Sequence, residues 1–325
     1  MKPARERILI VSVNWLGDLL FMTPAIRAIR RAYPESHIGC LVPKRGLDLL
    51  SANPHLDEMI PFEESRGVAG FFRWLGLIGR LKSKRFDTAY LFHRSFTRAF
   101  VVAMAGIPHR IGPGTRKQSR LLTQSARMPS KDSMHKAAWY LKILEADEIF
   151  PDGLQYDLAL LDEDQTAADK VLTGLGLRPG EKFVAIHPGA NWEPKRWPAE
   201  NFARVADLLR EKRGIRAVFV GGPGDLDLVR KIRSFMKSEP AVATGKTSLR
   251  ETAALVKRAA ALVSNDSGPL HIGAAVGTAV IGLFGPTDPA LSGPPSGTKG
   301  VLICGLGSME NIKVDQVLAA VEQYL

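Results

Sequence analysis

Two doubly wound α/β domains are the architecture the sequence predicts, and three observations predict it. Short apolar runs rich in β-branched residues alternate with amphipathic stretches along the whole chain, the pattern of parallel strands joined by helices. The rhythm runs twice, over residues 1–155 and again over 156–325, with a linker region at 150–161. The length, 325 residues, is room for two domains of ordinary size.

In the first half, residues 7–13 (RILIVSV) read as a buried strand. Helical periodicity follows over 19–31. Pro24 is awkward inside one smooth helix and predicts a break or restart there. A strand at 38–42, a helix at 45–52 and a short strand at 58–62 come next. Residues 67–85 mix Phe71, Phe72, Trp74 and Leu75 with Arg73, Arg80, Lys82, Lys84 and Arg85. They read as a basic amphipathic helix, packed on the domain surface or, alternatively, docked on an acidic bilayer. A strand at 88–92 leads into a helix that ends near Gly106. Residues 109–117 read as a Gly/Pro-rich basic loop, and 133–146 as a long helix.

The second half starts with a helix at 163–175 and a turn at Arg178-Pro179-Gly180. Strands are predicted at 183–187, 216–220, 260–263, 279–284 and 300–303. Helices are predicted at 198–212, 226–236, 247–258, from Ser267 onward, and at 314–325, where the last helix can return to pack on the first domain. Two halves with one rhythm suggest two Rossmann-like domains facing a cleft.

Composition narrows the function classes. Hydrophobic residues make up 45% and charged residues 24%, a soluble globular balance. No run of about 18 apolar residues is present, so no membrane span is expected. The apolar run after the charged start is too short for a signal-peptide core, which predicts a cytoplasmic protein. Cys40 and Cys304 stand far apart, outside any metal-binding spacing, and read as buried small apolar residues. The net charge of +11 suggests an anionic partner. No zinc finger or RNP-like aromatic motif points to nucleic acid, which leaves phosphorylated molecules or an anionic membrane surface.

Four loops at predicted strand ends carry the candidate chemistry, because ligands of open parallel sheets sit at the C-terminal ends of strands. In Asn14-Trp15-Leu16-Gly17-Asp18, Gly17 allows a tight turn and Asp18 is presented at a helix start. A carboxylate there can accept the proton of an attacking hydroxyl, although the helix dipole makes it a weak base at rest. Taken alone, Asp18 reads more readily as a capping residue. In the loop 187–198, Lys195 and Arg196 precede a helix and can meet phosphate, or are solvated charges. His187 reads as a strand-end histidine and Trp197 as a packing anchor. In Gly221-Gly222-Pro223-Gly224-Asp225, the glycines admit a ligand and Asp225 can bind ribose hydroxyls. Asp225-Leu226-Asp227 spells DxD, a metal–nucleotide pattern, but two Asp at a helix start are more often caps. In Asp266-Ser267-Gly268-Pro269-Leu270-His271, a strand runs through a polar loop into a helix start, which suits an anion. His271 lies about one helical turn on and can donate to a phosphate or a sugar hydroxyl, or be a packed core histidine.

The loops Asn14–Asp18, His187-Pro188-Gly189 with Lys195-Arg196-Trp197-Pro198, Ser264–His271 and Phe284-Gly285-Pro286-Thr287-Asp288-Pro289 together resemble glycosyltransferase family 9. The best-known members of that family are the ADP-heptose:lipopolysaccharide heptosyltransferases. The resemblance implies a GT-B fold, with acceptor on the N-terminal domain and nucleotide sugar on the C-terminal one. It implies inverting, metal-independent transfer, without a cofactor, from ADP-L-glycero-β-D-manno-heptose to a Kdo or heptose of the lipopolysaccharide inner core. By position, Asp18 matches the general base, Lys195 the lysine on the donor phosphates and Asp225 an acidic nucleotide contact. Asp266, Ser267, Gly268 and His271 match the donor loop. Arg94, Arg98, Arg116 and Lys117 are candidates for the anionic acceptor, and peripheral contact with the inner membrane leaflet is the matching expectation. Rival readings are another nucleotide-sugar glycosyltransferase, a UDP-sugar epimerase of related architecture, and a non-enzymatic nucleotide-binding module at a membrane surface.

Overall fold

The computed structural model describes residues 5–63 and 67–325. The first four residues of the charged start and the side chain of Phe71 lie outside the described residues. The chain divides into two compact units, Met1–Ala159 and Leu160–Leu325.

Unit 1 runs β1 (Arg7–Val11), α1 (Leu16–Phe21), α2 (Thr23–Ala32), β2 (His37–Pro43), α3 (Leu47–Leu50), β3 (Glu58–Phe62), α4 (Gly67–Ser83), β4 (Thr88–Leu91), α5 (Phe96–Met104), β5 (His109–Pro113), β6 (Gln124–Ala126) and α6 (Lys136–Glu145). Unit 2 runs α7 (Asp162–Gly174), β7 (Phe183–His187), α8 (Ala199–Arg213), β8 (Arg216–Phe219), α9 (Leu226–Phe235), β9 (Ala241–Val242), α10 (Leu249–Arg258), β10 (Ala261–Asn265), α11 (Gly268–Ala275), β11 (Ala279–Phe284), α12 (Pro289–Ser292), β12 (Gly300–Cys304) and α13 (Val314–Glu322). The strand orders are β3-β2-β1-β4-β5-β6 and β9-β8-β7-β10-β11-β12, and every pairing is parallel. Within each unit this is the doubly wound order 3-2-1-4-5-6, which leaves a crevice between β1 and β4, and between β7 and β10, at the carboxyl ends of the strands.

The central strands are apolar throughout because helices cover both faces. Ile8, Leu9, Ile10 and Val11 are fully buried, as are Val184, Ala185 and Ile186. The helix break expected at Pro24 falls at Met22. Thr23 starts α2 and donates its hydroxyl to the Leu20 carbonyl at 2.8 Å, and Pro24 takes the first turn, where no amide is needed.

Several expectations are corrected. Residues 109–117 are not all loop, since His109–Pro113 form β5. Its Gly and Pro sit at the strand's end, and only Ile111 carries an apolar strand signal. β6 and β9, three and two residues long, are too short to show a pattern. The helix expected over 45–52 contracts to α3. Cys40 is buried and its thiol pushed up to about 12 by that burial, but Cys304 is exposed. The reason is that β12 is an edge strand, so its alternate residues Leu302 and Cys304 face outward. The last helix packs into the core of unit 2, where Val317, Leu318 and Val321 join Phe202, Leu209 and Ile281.

One glycine fixes the helix that matters most for the site. A Cβ at Gly273 on α11 would lie 2.6 Å from Leu262 Cδ2 and 2.9 Å from Val280 Cγ1. Its absence lets α11 seat directly on β10 and β11. Gly273→Ala is therefore expected to destabilise the fold by about 1–3 kcal/mol through overpacking, read as a lower urea midpoint. An unchanged midpoint would show that α11 is not clamped there.

Candidate active site

In unit 2 the crevice between β7 and β10 gathers four loops. β10 ends in Asn265-Asp266, both buried. The Asn265 amide ties two neighbouring segments together, donating to the Pro188 carbonyl at 2.7 Å and accepting from the Trp197 amide at 3.2 Å. Trp197 anchors the start of α8, with its indole N–H on the Ile312 carbonyl at 3.1 Å and its ring edge-on to Phe202. The reading of Trp197 as a packing anchor holds. Asn265 is a residue the sequence reading does not single out, although it stands inside the quoted motif.

Asp266 Oδ2 accepts from Lys195 Nζ at 2.6 Å and from the Thr287 hydroxyl at 2.8 Å. Asp266 is 7% exposed, so its charge requires compensation, and Lys195 supplies it. The two predicted donor residues thus meet each other. Thr287, in the loop after β11, completes the set, a role that its letter within the Phe284–Pro289 motif does not signal. An ammonium has three N–H donors, so Lys195 can hold Asp266 and still offer a bond to an incoming anion.

Beside this pair, His187 joins two more predicted residues. Its Nδ1 lies 3.1 Å from Ser267 Oγ, and its Nε2 3.6 Å from Asp225 Oδ2. Ser267 is the N-cap residue of α11, yet its side chain makes no cap hydrogen bond. Its hydroxyl is turned to His187 and Ser264 instead. The start of α11, at Gly268, is left without a side-chain acceptor from its own N-cap, a place where an external anion is favoured by the open amides and the helix dipole.

Asp225 also accepts from the Gly222 amide at 2.9 Å. Burial pushes its carboxyl up, but the His187 ring, the Gly222 amide and the Arg196 charge outweigh that and hold it below the ordinary carboxylate range. A Cβ at Gly189 would lie 2.2 Å from Asp225 Oδ1, and one at Gly221 2.6 Å from Oδ2. At these two positions the missing side chain makes room for the Asp225 carboxylate, whereas Gly222 and Gly224 stand open, with nothing within 4 Å of where a Cβ would be. Asp227 is exposed and pairs with Arg230 at 2.8 Å, so the two carboxylates of the DxD spelling serve different partners. His271 is 3% exposed, on the inner side of α11.

In unit 1 the loop after β1 is braced from two sides. Arg98 donates to the Ser12 carbonyl at 2.5 Å and to Asn14 Oδ1, and its guanidinium lies over the Phe62 ring. It is 1% exposed. Arg98 is therefore a buried strut between β1 and α5, which corrects its assignment as an acceptor contact. Arg45 donates to the Asn14 carbonyl at 2.9 Å and stacks on the exposed Trp15. On the braced loop's far side, α1 presents a half-buried Asp18 toward α6. Burial, and then the Asp18 charge, raise the Tyr140 hydroxyl well above its ordinary value. Arg94 is exposed after β4 and lies over the Trp139 ring. Arg116 and Lys117 are exposed after β5. All three stand at the carboxyl edge of the first sheet.

A sequence profile of glycosyltransferase family 9 (heptosyltransferase) matches residues 74–320. Lipopolysaccharide heptosyltransferase 2 of Salmonella typhimurium is 28% identical over 302 residues, spanning 89% of this chain and 86% of that protein. Among solved structures, a glycosyl transferase family 9 protein from Veillonella parvula superposes with a TM-score of 0.91 at 26% identity, over 100% of this chain and 98% of the other. ADP-heptose lipopolysaccharide heptosyltransferase II of E. coli superposes at 0.85 with 26% identity over 98% of each chain.

The Asp225 geometry sets a pH dependence. A carboxyl held low in the folded state stabilises above its unfolded value, and that contribution fades as pH falls through the lowered one. Asp225→Asn is expected to cost about 1–2 kcal/mol at neutral pH. Its deficit against the wild type should shrink once pH drops below about 4. Urea titrations at several pH values measure this, and a deficit that does not change with pH would contradict it.

Proposed function

Because the chain belongs to glycosyltransferase family 9, we propose that it transfers heptose from ADP-L-glycero-β-D-manno-heptose to the inner core of lipopolysaccharide, with inversion at the anomeric carbon. The chain is a glycosyltransferase of the lipopolysaccharide heptosyltransferase family with the GT-B fold. The donor, the acceptor and the stereochemistry are the proposal.

The observation that carries it is the convergence of Lys195, Asp266 and Thr287 beside an α11 start whose N-cap hydroxyl is turned away. Departure of a nucleoside diphosphate builds negative charge on phosphate oxygens, which fixed cations and amides stabilise. Lys195 and the amides from Gly268 onward supply both. Asp225, with its low-lying carboxyl, is suited to accept hydrogen bonds from ribose hydroxyls. His271, 3% exposed on α11, is assigned to the same donor loop.

The chemical step is one displacement. The acceptor hydroxyl oxygen bonds to the anomeric carbon, the bond from that carbon to the phosphate oxygen breaks, and ADP leaves with the electron pair. Asp18 takes the hydroxyl proton as the oxygen attacks. No metal is assigned, since the leaving charge is met by Lys195 and the α11 amides. Arg94, Arg116 and Lys117 are assigned to the anionic groups of the acceptor, and the enzyme to the cytoplasmic face of the inner membrane.

Asp18→Ala should lower the rate of transfer by about 10²–10⁴-fold while calorimetry finds ADP-heptose binding intact. Turnover at the wild-type rate would remove Asp18 from the role. Lys195→Ala should weaken donor binding by about 10–100-fold. Because that change also strands the Asp266 carboxylate, Lys195→Ala with Asp266→Asn separates lost contact from lost loop. Consumption of donor without any acceptor would instead favour the epimerase reading.

A further inference from the structure

The outer surface of unit 1 carries a feature the transfer chemistry does not use. α4 and α5 lie side by side on one face of the first sheet. Their inner residues, Leu77 and Leu81 of α4 and Ala99, Val101 and Val102 of α5, share one core with Leu9 and Val11 of β1. Their outward residues are apolar as well. Phe72 is 64% exposed, Leu75 47%, Phe96 48%, Phe100 43% and Met104 55%. On α5 the three fall at i, i+4 and i+8, one continuous stripe along the solvent side, and the Phe96 and Phe100 rings stack. On α4 the same outward pole continues through Gly76 and Gly79, where a Cβ would meet nothing within 4 Å. Large exposed apolar side chains gathered in one patch mark an interaction site.

Charge selects the partner. Neither helix contains an Asp or a Glu. On α4 the apolar pole is flanked by Lys82 on one side and by Arg73 and Arg80 on the other. Glu63, the acidic neighbour, already serves both Lys44 and Arg73. An apolar stripe between long cationic side chains suits a lipid surface, where rings enter the headgroup layer and the charges rise to the phosphates. Two copies of this face would bring cations against cations.

We propose that the outer face of α4 and α5 docks the protein on an anionic lipid bilayer. The choice of a bilayer rests on the reading of the acceptor as a lipopolysaccharide, whereas the face itself is assigned by exposure and charge. Docking adds apolar insertion to electrostatic attraction, and the second component weakens as salt rises.

Flotation with phosphatidylcholine vesicles, with and without about one third phosphatidylglycerol, tests the assignment. The wild type should float with the anionic vesicles, less so at high salt, and stay behind with the neutral ones. Phe72→Ser with Phe100→Ser should weaken flotation by about tenfold or more, and Lys82→Glu should weaken it at low salt. Both variants should keep the wild-type urea midpoint and the wild-type rate on a deacylated, soluble core acceptor. A wild type that does not float, or a double variant that floats as well, overturns the proposal. So does concentration-dependent dimerisation that the double variant abolishes, because the face would then belong to a second copy. Flotation as expected, with no transfer to any core acceptor, would leave the docking face standing and sink the heptosyl-transfer reading instead.

Discussion

The site in unit 2 depends on a carboxylate placed where water barely reaches it. Asp266 is 7% exposed at the end of β10, and an ion there is tolerated only when paired and hydrogen-bonded. The pairing draws Lys195 in from the segment after β7 and Thr287 from the loop after β11. Three loops of independent sequence origin are thereby held at fixed separations before any ligand arrives. Asn265 next to it does the same with neutral groups, binding the Pro188 carbonyl and the Trp197 amide. Such preorganisation is what electrostatic catalysis requires, because donors already in place need not reorganise when charge develops.

The two units repeat one strand order and use it differently. In unit 2 the crevice is held by a buried anion that collects a cation. In unit 1 it is held by a buried cation, Arg98, that collects the Ser12 carbonyl and the Asn14 side chain and rests on Phe62. The first solution leaves an ammonium close to an open helix start, which suits an anionic ligand. The second fixes the loop that leads into α1, the helix that carries Asp18. The fold class does not decide between the two; the side chains at the strand ends do.

Much of this was legible in the residues. The strand rhythm shows wherever strands are long and β-branched, as in Phe183–His187 and Ala279–Phe284, whose boundaries the sequence predicts as found. It vanished at β6 and β9, where two or three residues cannot display a period, and at β5, whose Gly112 and Pro113 carry turn chemistry at a strand end. At the site, the motif residues stood out singly, but their partnerships did not. Nothing in the sequence says that Lys195 meets Asp266 across 71 positions, or that Gly189 and Gly221 are small because Asp225 lies between them. Arg98 looked like its exposed neighbours because a buried arginine and a solvated one have the same letter. Its burial follows from its place on the inward side of α5.

That distinction changes how the net charge of +11 is to be read. Many of the cations are committed inside the units. Arg5 pairs with Asp147, Arg27 with Asp152 and Asp157, Arg30 with Asp57, and Arg98 serves backbone and amide oxygens. These hold the first sheet and its helices together, and the charges of Arg5, Arg27 and Arg30, each met by a carboxylate within a few ångströms, contribute little field beyond the surface. What an approaching molecule senses is the exposed remainder, and it is not spread evenly. Arg94, Arg116 and Lys117 stand at the carboxyl edge of the first sheet, and Lys82 flanks the outward pole of α4. An excess of positive charge in composition thus becomes, in the folded chain, two addressed surfaces: one above a crevice, one beside an apolar stripe. Electrostatic steering acts through such local fields, not through the total.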